Sequence, residues 1–182
     1  MAAGATMRHL HVDLSDVDRG VYEKLELRLA QHPSESLRFL WTRIFAYCLS
    51  YEEGIQLSKG GLSNAEEAPL AVWLGDGRLD TWIDIGAPSA ERLHKASKAA
   101  RRVVIYTSAS LAQLRKEAAR RAIHRVEDIV VWSIPGELLD ALGERTDRTM
   151  KLELVRNEEQ IYATLDGTVT EGRVVASPLL EA

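Results

Sequence analysis

Apolar and polar residues alternate through "MRHLHVDL" at 7–14, the pattern of a half-buried strand. After a turn at 15–20, "VYEKLELRLAQ" alternates again and reads as a returning second strand. The period then changes. Leu37, Leu40, Trp41, Ile44, Cys48 and Leu49 recur at intervals of three and four, which predicts an amphipathic helix. Pro33 and Ser34 suit its first turn and Gly54 is placed to stop it. Glu35 is therefore expected in the first helical turn, where an acid complements the helix dipole.

"IQLS" and "PLAVWL" are short apolar runs that read as strands, and Asp76-Gly77 is a two-residue hairpin signal joining the second run to "RLDTWIDI". That turn makes paired positions sum to 153, so Asp84 faces Pro69 and lies near Glu67. Asp80, Trp82, Asp84 and Gly86 are expected on one face. Asp80 sits about 13 Å from Asp84, at ~3.3 Å per residue, too far to share a metal ion. Pro88 and Ser89 open a helix running to about Arg102. "VVIYTS" follows as a buried strand, expected to be parallel because a helix precedes it. "SLAQLRKEAARRAIHR" reads as a second basic helix, "DIVVWSI" as a strand and "PGELLDALGER" as a short helix. The remainder is strand and turn chemistry. With no repeat or linker, the expectation is one α/β domain over 1–182, a central mixed sheet flanked by helices.

Composition narrows the function class. The 182 residues, 46% apolar and 27% charged, are those of a globular protein able to bury a core. No apolar run approaches the ~20 residues of a membrane span. The start, "MAAGATMRHLHVDL", lacks the basic head and continuous apolar stretch of a secretory signal, so a cytoplasmic location is expected. Cys48 is the only cysteine, which rules out an internal disulfide and reads as core. The net charge of −4 argues against general adhesion to nucleic acid. Residues 92–125 are the exception: ten Lys and Arg stand against Glu117 alone, a charge of +9 that leaves −13 for the rest. Such a segment is either a surface for an acidic partner such as nucleic acid or two solvated helix faces.

His9 and His11 share a strand face but lack a third metal ligand, so an exposed sheet face is their default. No nucleophile motif accompanies the five histidines. Trp73 and Trp82 can stack bases, although core packing suits their large area better. Asp84 is harder to dismiss, since an acid ending a buried strand needs partners. Gly86 leaves room on its side, and Lys95 waits two turns into the next helix.

The order of elements, with "HPSE" at 32–35, Arg43, Tyr51, "WIDIG" at 82–86, Pro88, Arg92, Lys95-Ala96 and "RTM" at 148–150, carries a resemblance. It resembles the core of the PD-(D/E)XK nuclease superfamily and, in more detail, the YaeQ family of bacterial proteins, from about Met7 to the C-terminal strands. The resemblance implies a restriction endonuclease-like core with additional N- and C-terminal strands. It also implies a site built from Glu35, Asp84 and Lys95, with Glu35, Asp84 and Glu67 as ligands of Mg²⁺ or Mn²⁺. Carboxylates suit such ions, which polarise a phosphodiester and activate water while an ammonium stabilises developing charge. The implied activity is metal-dependent phosphodiester hydrolysis. Two departures qualify it. The lysine's usual place is Gly86, so Lys95 serves only as a relocated lysine. The acid of the Pro-Asp element is missing, Pro69 being followed by Leu70 and Ala71; Glu67 either substitutes or is a solvated loop acid. The other reading is a non-catalytic descendant that keeps the fold and binds nucleic acid or a protein. Nothing resembles a separate DNA-reading module.

Overall fold

The computed structural model describes residues 4–59 and 64–181. In chain order it begins with strands β1 (Thr6–Asp16) and β2 (Val21–Gln31), helix α1 (Leu37–Leu49), and strands β3 (Ile55–Leu57), β4 (Leu70–Trp73) and β5 (Leu79–Ile85). Helix α2 (Ala90–Ala99), β6 (Arg102–Thr107), α3 (Leu111–Ala118), β7 (Val130–Ser133) and α4 (Gly136–Gly143) follow. Strands β8 (Thr149–Asn157), β9 (Gln160–Leu165), β10 (Thr168–Arg173) and β11 (Val175–Pro178) complete the chain. The fold is mixed α/β, with two mixed sheets and four α-helices among the described residues. The chain groups into two compact units, Met1–Trp41 with Ile134–Val174 and Thr42–Ser133 with Val175–Ala182.

The first unit holds a five-stranded sheet in the order β10-β9-β8-β1-β2. Alternation decides its inner face: Leu10, Val12, Leu14, Leu27, Leu29, Leu152 and Leu154 are buried. Their outward neighbours form cross-strand pairs, His9 with Arg28, His11 with Glu26 and Asp13 with Lys24. His9 and His11 thus belong to a mixed-charge sheet surface, the default reading of this pair. The last strand, β11, pairs with β7 in the second unit's sheet, whereas β1, β2 and β8–β10 do not belong to that sheet. Parallel pairing of β1 with β8 gives them a sheet of their own, a partnership between distant segments that local pattern does not reveal.

The second unit holds a six-stranded sheet in the order β11-β7-β6-β5-β4-β3. Asp84 lies on β5, an interior strand, antiparallel to β4 and parallel to β6 as the sequence predicts. Trp82, Ile105 and Val131 from the sheet, Leu93 and Ala96 from α2, and Leu114 from α3 share one core cluster. The hairpin register also holds, by an indirect route. Leu70–Ile83, Ala71–Trp82 and Val72–Thr81 all sum to 153, but Trp73 pairs with Leu79. The loop has three residues, with Leu74 N–H donating to Arg78 O (2.9 Å) and Gly77 at φ +82°. A bulge at Asp80 then restores the register. Because of it, Leu79 and Trp82 face the same way, while Asp80 does not stand in line with Asp84.

Several helix boundaries differ from the sequence pattern. α1 starts at Leu37, because Ser36 Oγ accepts the Phe39 N–H (3.1 Å). Glu35 therefore precedes the helix. Gly54 is not the helix stop; α1 has ended at Leu49. Gly54 has φ +89°, and a Cβ there would lie 2.0 Å from the Trp73 carbonyl oxygen. α2 ends at Ala99, short of Arg102, because Arg101 and Arg102 turn to the Asp80 carboxylate. α3 stops at Ala118, well short of Arg125. Arg125 adopts φ +47° and donates to the Ser97 and Ala100 carbonyls at the end of α2, 2.8 Å each. Among the described residues no helix is long and apolar enough to cross a membrane.

Candidate functional site

Asp84 is 3% exposed, so its charge must be met inside the protein. After β5 the chain turns at Gly86 (φ +83°), and Ser89 caps α2 by accepting the Arg92 N–H at 3.2 Å. This places Arg92 in the first helical turn, over the strand that has just ended. Its Nε donates to Asp84 Oδ2 at 2.7 Å. The Trp82 indole N–H donates to the same oxygen at 3.0 Å, and the Ile85 N–H to Oδ1 at 3.2 Å. The other two Arg92 nitrogens donate to the carbonyls of Ala65 (2.6 Å) and Glu67 (2.9 Å). The guanidinium carbon also lies 5.4 Å from the Trp82 ring centroid, a cation–π distance. One arginine thus ties the strand end, the helix start and the 65–67 segment together.

Lys95, one turn after Arg92, pairs with Glu66. Its ammonium holds the Glu66 carboxyl below the usual range. Both side chains are solvent-accessible, so the pair contributes little to stability. The Glu67 carboxylate accepts the Ser58 hydroxyl at 3.1 Å through Oε2. Glu66 and Glu67 border a cleft of about 370 Å³ whose apolar lining includes Ala71, Trp73, Leu79 and Trp82. Trp82 is core, as its area suggests, whereas Trp73 is 39% exposed and is not.

Asp80 answers to different partners. Arg101 Nε donates to Oδ1 at 2.7 Å, Arg102 to Oδ2 at 2.7 Å, and the Thr81 hydroxyl to Oδ2 at 2.9 Å. The Arg101 hydrogen bond, followed by those from Arg102 and Thr81, outweighs burial and holds this carboxyl far below the ordinary carboxylate range. In the first unit, the Glu35 N–H donates to the His32 carbonyl (2.9 Å), and Glu35 Oε2 accepts the His32 N–H (3.2 Å). His32 Nδ1 accepts the Ser34 N–H at 3.1 Å, so His32 shapes this turn.

A profile described as YaeQ protein matches residues 1–173, which spans both units. The chain belongs to the YaeQ family. It is 29% identical to the YaeQ protein of Escherichia coli strain K12 over 97% of both chains. To that of Salmonella typhi it is 30% identical, over 89% of this chain and 90% of the relative. The crystal structure of YaeQ from Pseudomonas syringae superposes with a TM-score of 0.83 at 27% identity, covering 93% of this chain and 94% of that one. YaeQ from Xanthomonas axonopodis pv. citri gives 0.84 at 29% identity, covering 94% and 97%. These names state no activity, so the chemistry rests on the residues.

Within the second unit of this YaeQ protein, Arg92 joins Asp84 to the Glu67 carbonyl and Lys95 pairs with Glu66, while only Glu66 and Glu67 of this group line the cleft. Their donor set does not fit a divalent cation. Three of the roughly four acceptor positions of the Asp84 carboxylate are filled by N–H donors. Among the described residues no three His, Cys, Asp or Glu side chains are grouped to hold a metal ion. Sequence reasoning singled out Lys95 and passed over Arg92 and Glu66 as site residues. A signal for Arg92 exists: it lies three residues from the helix cap and one turn before Lys95, on the face turned to Asp84.

The basic segment resolves along similar lines. Besides Arg92 and Lys95, Arg101 and Arg102 meet Asp80, and Arg120 meets Glu117. Arg115 donates to the Leu179 carbonyl and Arg125 to the end of α2. Seven of the ten are thereby committed within the unit.

Proposed function

We propose that this protein works by binding rather than by hydrolysis, keeping a restriction endonuclease-like core of the PD-(D/E)XK type whose metal position is filled by Arg92. One observation carries this reading. The Arg92 guanidinium donates to Asp84 and to the carbonyls of two residues in the segment bordering the cleft. A fixed monovalent cation then does the charge-balancing of a divalent one, and it brings no bound water to activate. The absent Pro-Asp acid agrees with this, because without it little negative charge is left to hold Mg²⁺ against its own hydration.

A second reading, Mg²⁺- or Mn²⁺-dependent phosphodiester hydrolysis using Asp84, Glu67 and Lys95 of the second unit, is favoured by Arg92, which ties the Glu67 carbonyl to Asp84 one turn before Lys95. One experiment separates the two. Wild type and Asp84→Asn are titrated with Mn²⁺ by calorimetry and incubated with single- and double-stranded DNA and RNA. Binding alone gives no Asp84-dependent heat and no cleavage. Cleavage by the wild type that disappears in Asp84→Asn would overturn the proposal.

A further inference from the structure

The cleft beside Trp82 has the features of a small-ligand site. Its volume of about 370 Å³ falls at the lower end of the ~300–1,000 Å³ seen for ligand pockets, room for one ring system and little more. Trp73 and Trp82 are diagonal neighbours on one face of adjacent antiparallel strands, and the bulge at Asp80 brings Leu79 to that face. Leu79 and Ala71 complete the apolar surface between them.

The polar groups restrict what can enter. The Trp82 indole N–H is already given to Asp84, and the residue is 4% exposed with Arg92 over its ring, so Trp82 forms the floor and Trp73, 39% exposed, supplies the ring surface. Arg92 and Lys95 are committed to Asp84 and Glu66, so the cation lining the cleft is the exposed Lys59, which follows β3. Glu67 is exposed and lines the cleft, and its Oε2 is taken by the Ser58 hydroxyl. Oε1 remains for an incoming donor, and an ionised carboxylate accepts only. Glu66 also borders the cleft but is paired with Lys95, so apolar walls with one unspent carboxylate oxygen at the edge match a planar ring that carries an N–H₂ group.

We propose that this cleft binds an aminated heteroaromatic ring, of the adenine type, stacked on the exposed Trp73 ring with its amine donating to Glu67. The inference rests on the binding reading above and names the ligand class for it. The same ring chemistry can come from a free nucleoside or from an unstacked base of a single strand, since every base presents a π-face to an aromatic platform.

The test follows the indole N–H signals of the ¹⁵N-labelled full chain during titration with adenosine, with purine riboside (the same ring without its amine) and with a short single-stranded oligoadenylate. Adenosine should shift the Trp73 and Trp82 signals saturably and leave those of Trp41 and Trp132 in place. Purine riboside should bind about fivefold more weakly, and Glu67→Gln should remove that preference, as expected for one hydrogen bond to a partly solvated charge. Trp73→Ala, an exposed substitution that spares the fold, should weaken adenosine by about fivefold, in line with loss of a stacking partner. Tighter binding of oligoadenylate than of adenosine assigns the ring to a strand, and equal binding assigns it to a free nucleoside. Equal affinity for adenosine and purine riboside, or no saturable shift at millimolar adenosine, overturns the proposal. Metal-dependent cleavage in the preceding assay would remove the binding reading instead, so the two failures are distinct.

Discussion

The Arg92 guanidinium reaches back eight residues to the Asp84 carboxylate, Nε to Oδ2 at 2.7 Å, and spends its other nitrogens on two backbone carbonyls. Removing it leaves a buried carboxylate with only the Trp82 and Ile85 N–H groups. Arg92→Met should therefore cost about 3 kcal/mol, near the lower end for a broken buried pair because the Arg92 side chain keeps 20% exposure. Arg92→Lys should recover only part of this, since a point charge cannot serve three acceptors at once. The double variant Asp84→Asn/Arg92→Met should be more stable than Arg92→Met alone. Urea unfolding measures all three. An Arg92→Met midpoint matching the wild type would show that the bridge carries no weight.

Asp80 supplies a pH dependence of known sign. Its folded carboxyl titrates well below the unfolded value of about 3.9, chiefly because of Arg101. Its stabilisation is therefore fully present above that value and is lost as pH falls through 4 towards the folded pKa. Asp80→Asn should cost about 2 kcal/mol at pH 7, an amount moderated by the exposure of both arginines. It should also flatten the stability curve between pH 4 and pH 2. Parallel curves for wild type and Asp80→Asn across that window would contradict the assignment.

Local chemistry made the second unit legible. Alternation, the Asp-Gly turn and the Pro-Ser helix start locate β4, β5 and α2, and even the register, because the three-residue loop and the Asp80 bulge cancel. What pattern could not supply was long-range partnership. Nothing in "MRHLHVDL" says that its parallel neighbour is β8. The basic segment misled for a related reason: charge counts along a chain do not tell which cations meet acids or carbonyls after folding. Glu35 shows a smaller effect, where the Ser36 cap moves the helix start past it. Asp84 was readable as a group needing partners, but the arginine that meets it became visible only once α2 was laid over β5.

Gly54 should tolerate no side chain. Its φ of +89° already excludes most residues, and a Cβ would sit 2.0 Å from the Trp73 carbonyl oxygen. The Trp73 N–H donates to the Gly54 carbonyl at 3.0 Å, so the two backbones cannot part without losing that bond. Gly54→Ala should therefore lower stability by about 3 kcal/mol or more. Because Trp73 lines the cleft, the variant should also move its indole signal. Thermal melting and an indole N–H spectrum check both, and an unchanged Tm would show that the segment shifts freely.

Duplex DNA should be held weakly despite the +9 segment. Non-specific affinity comes from cations that replace counterions along the phosphates, and each must be available at the surface. Arg101 and Arg102 balance Asp80, and Arg115 and Arg125 hold carbonyls, so recruiting them would break structure elsewhere. Lys98, Lys116 and Arg121 are the exposed remainder, too few for the six to ten phosphate contacts of a strongly salt-dependent binder. At 150 mM salt the dissociation constant for a 20-base-pair duplex should exceed about 10 µM. The salt slope should be small, about three ions, and the triple substitution Lys98→Ala/Lys116→Ala/Arg121→Ala should abolish it. Fluorescence anisotropy over 50–200 mM salt measures these quantities. Submicromolar binding at 150 mM that survives the triple substitution would mean that the committed arginines release their partners to meet phosphate.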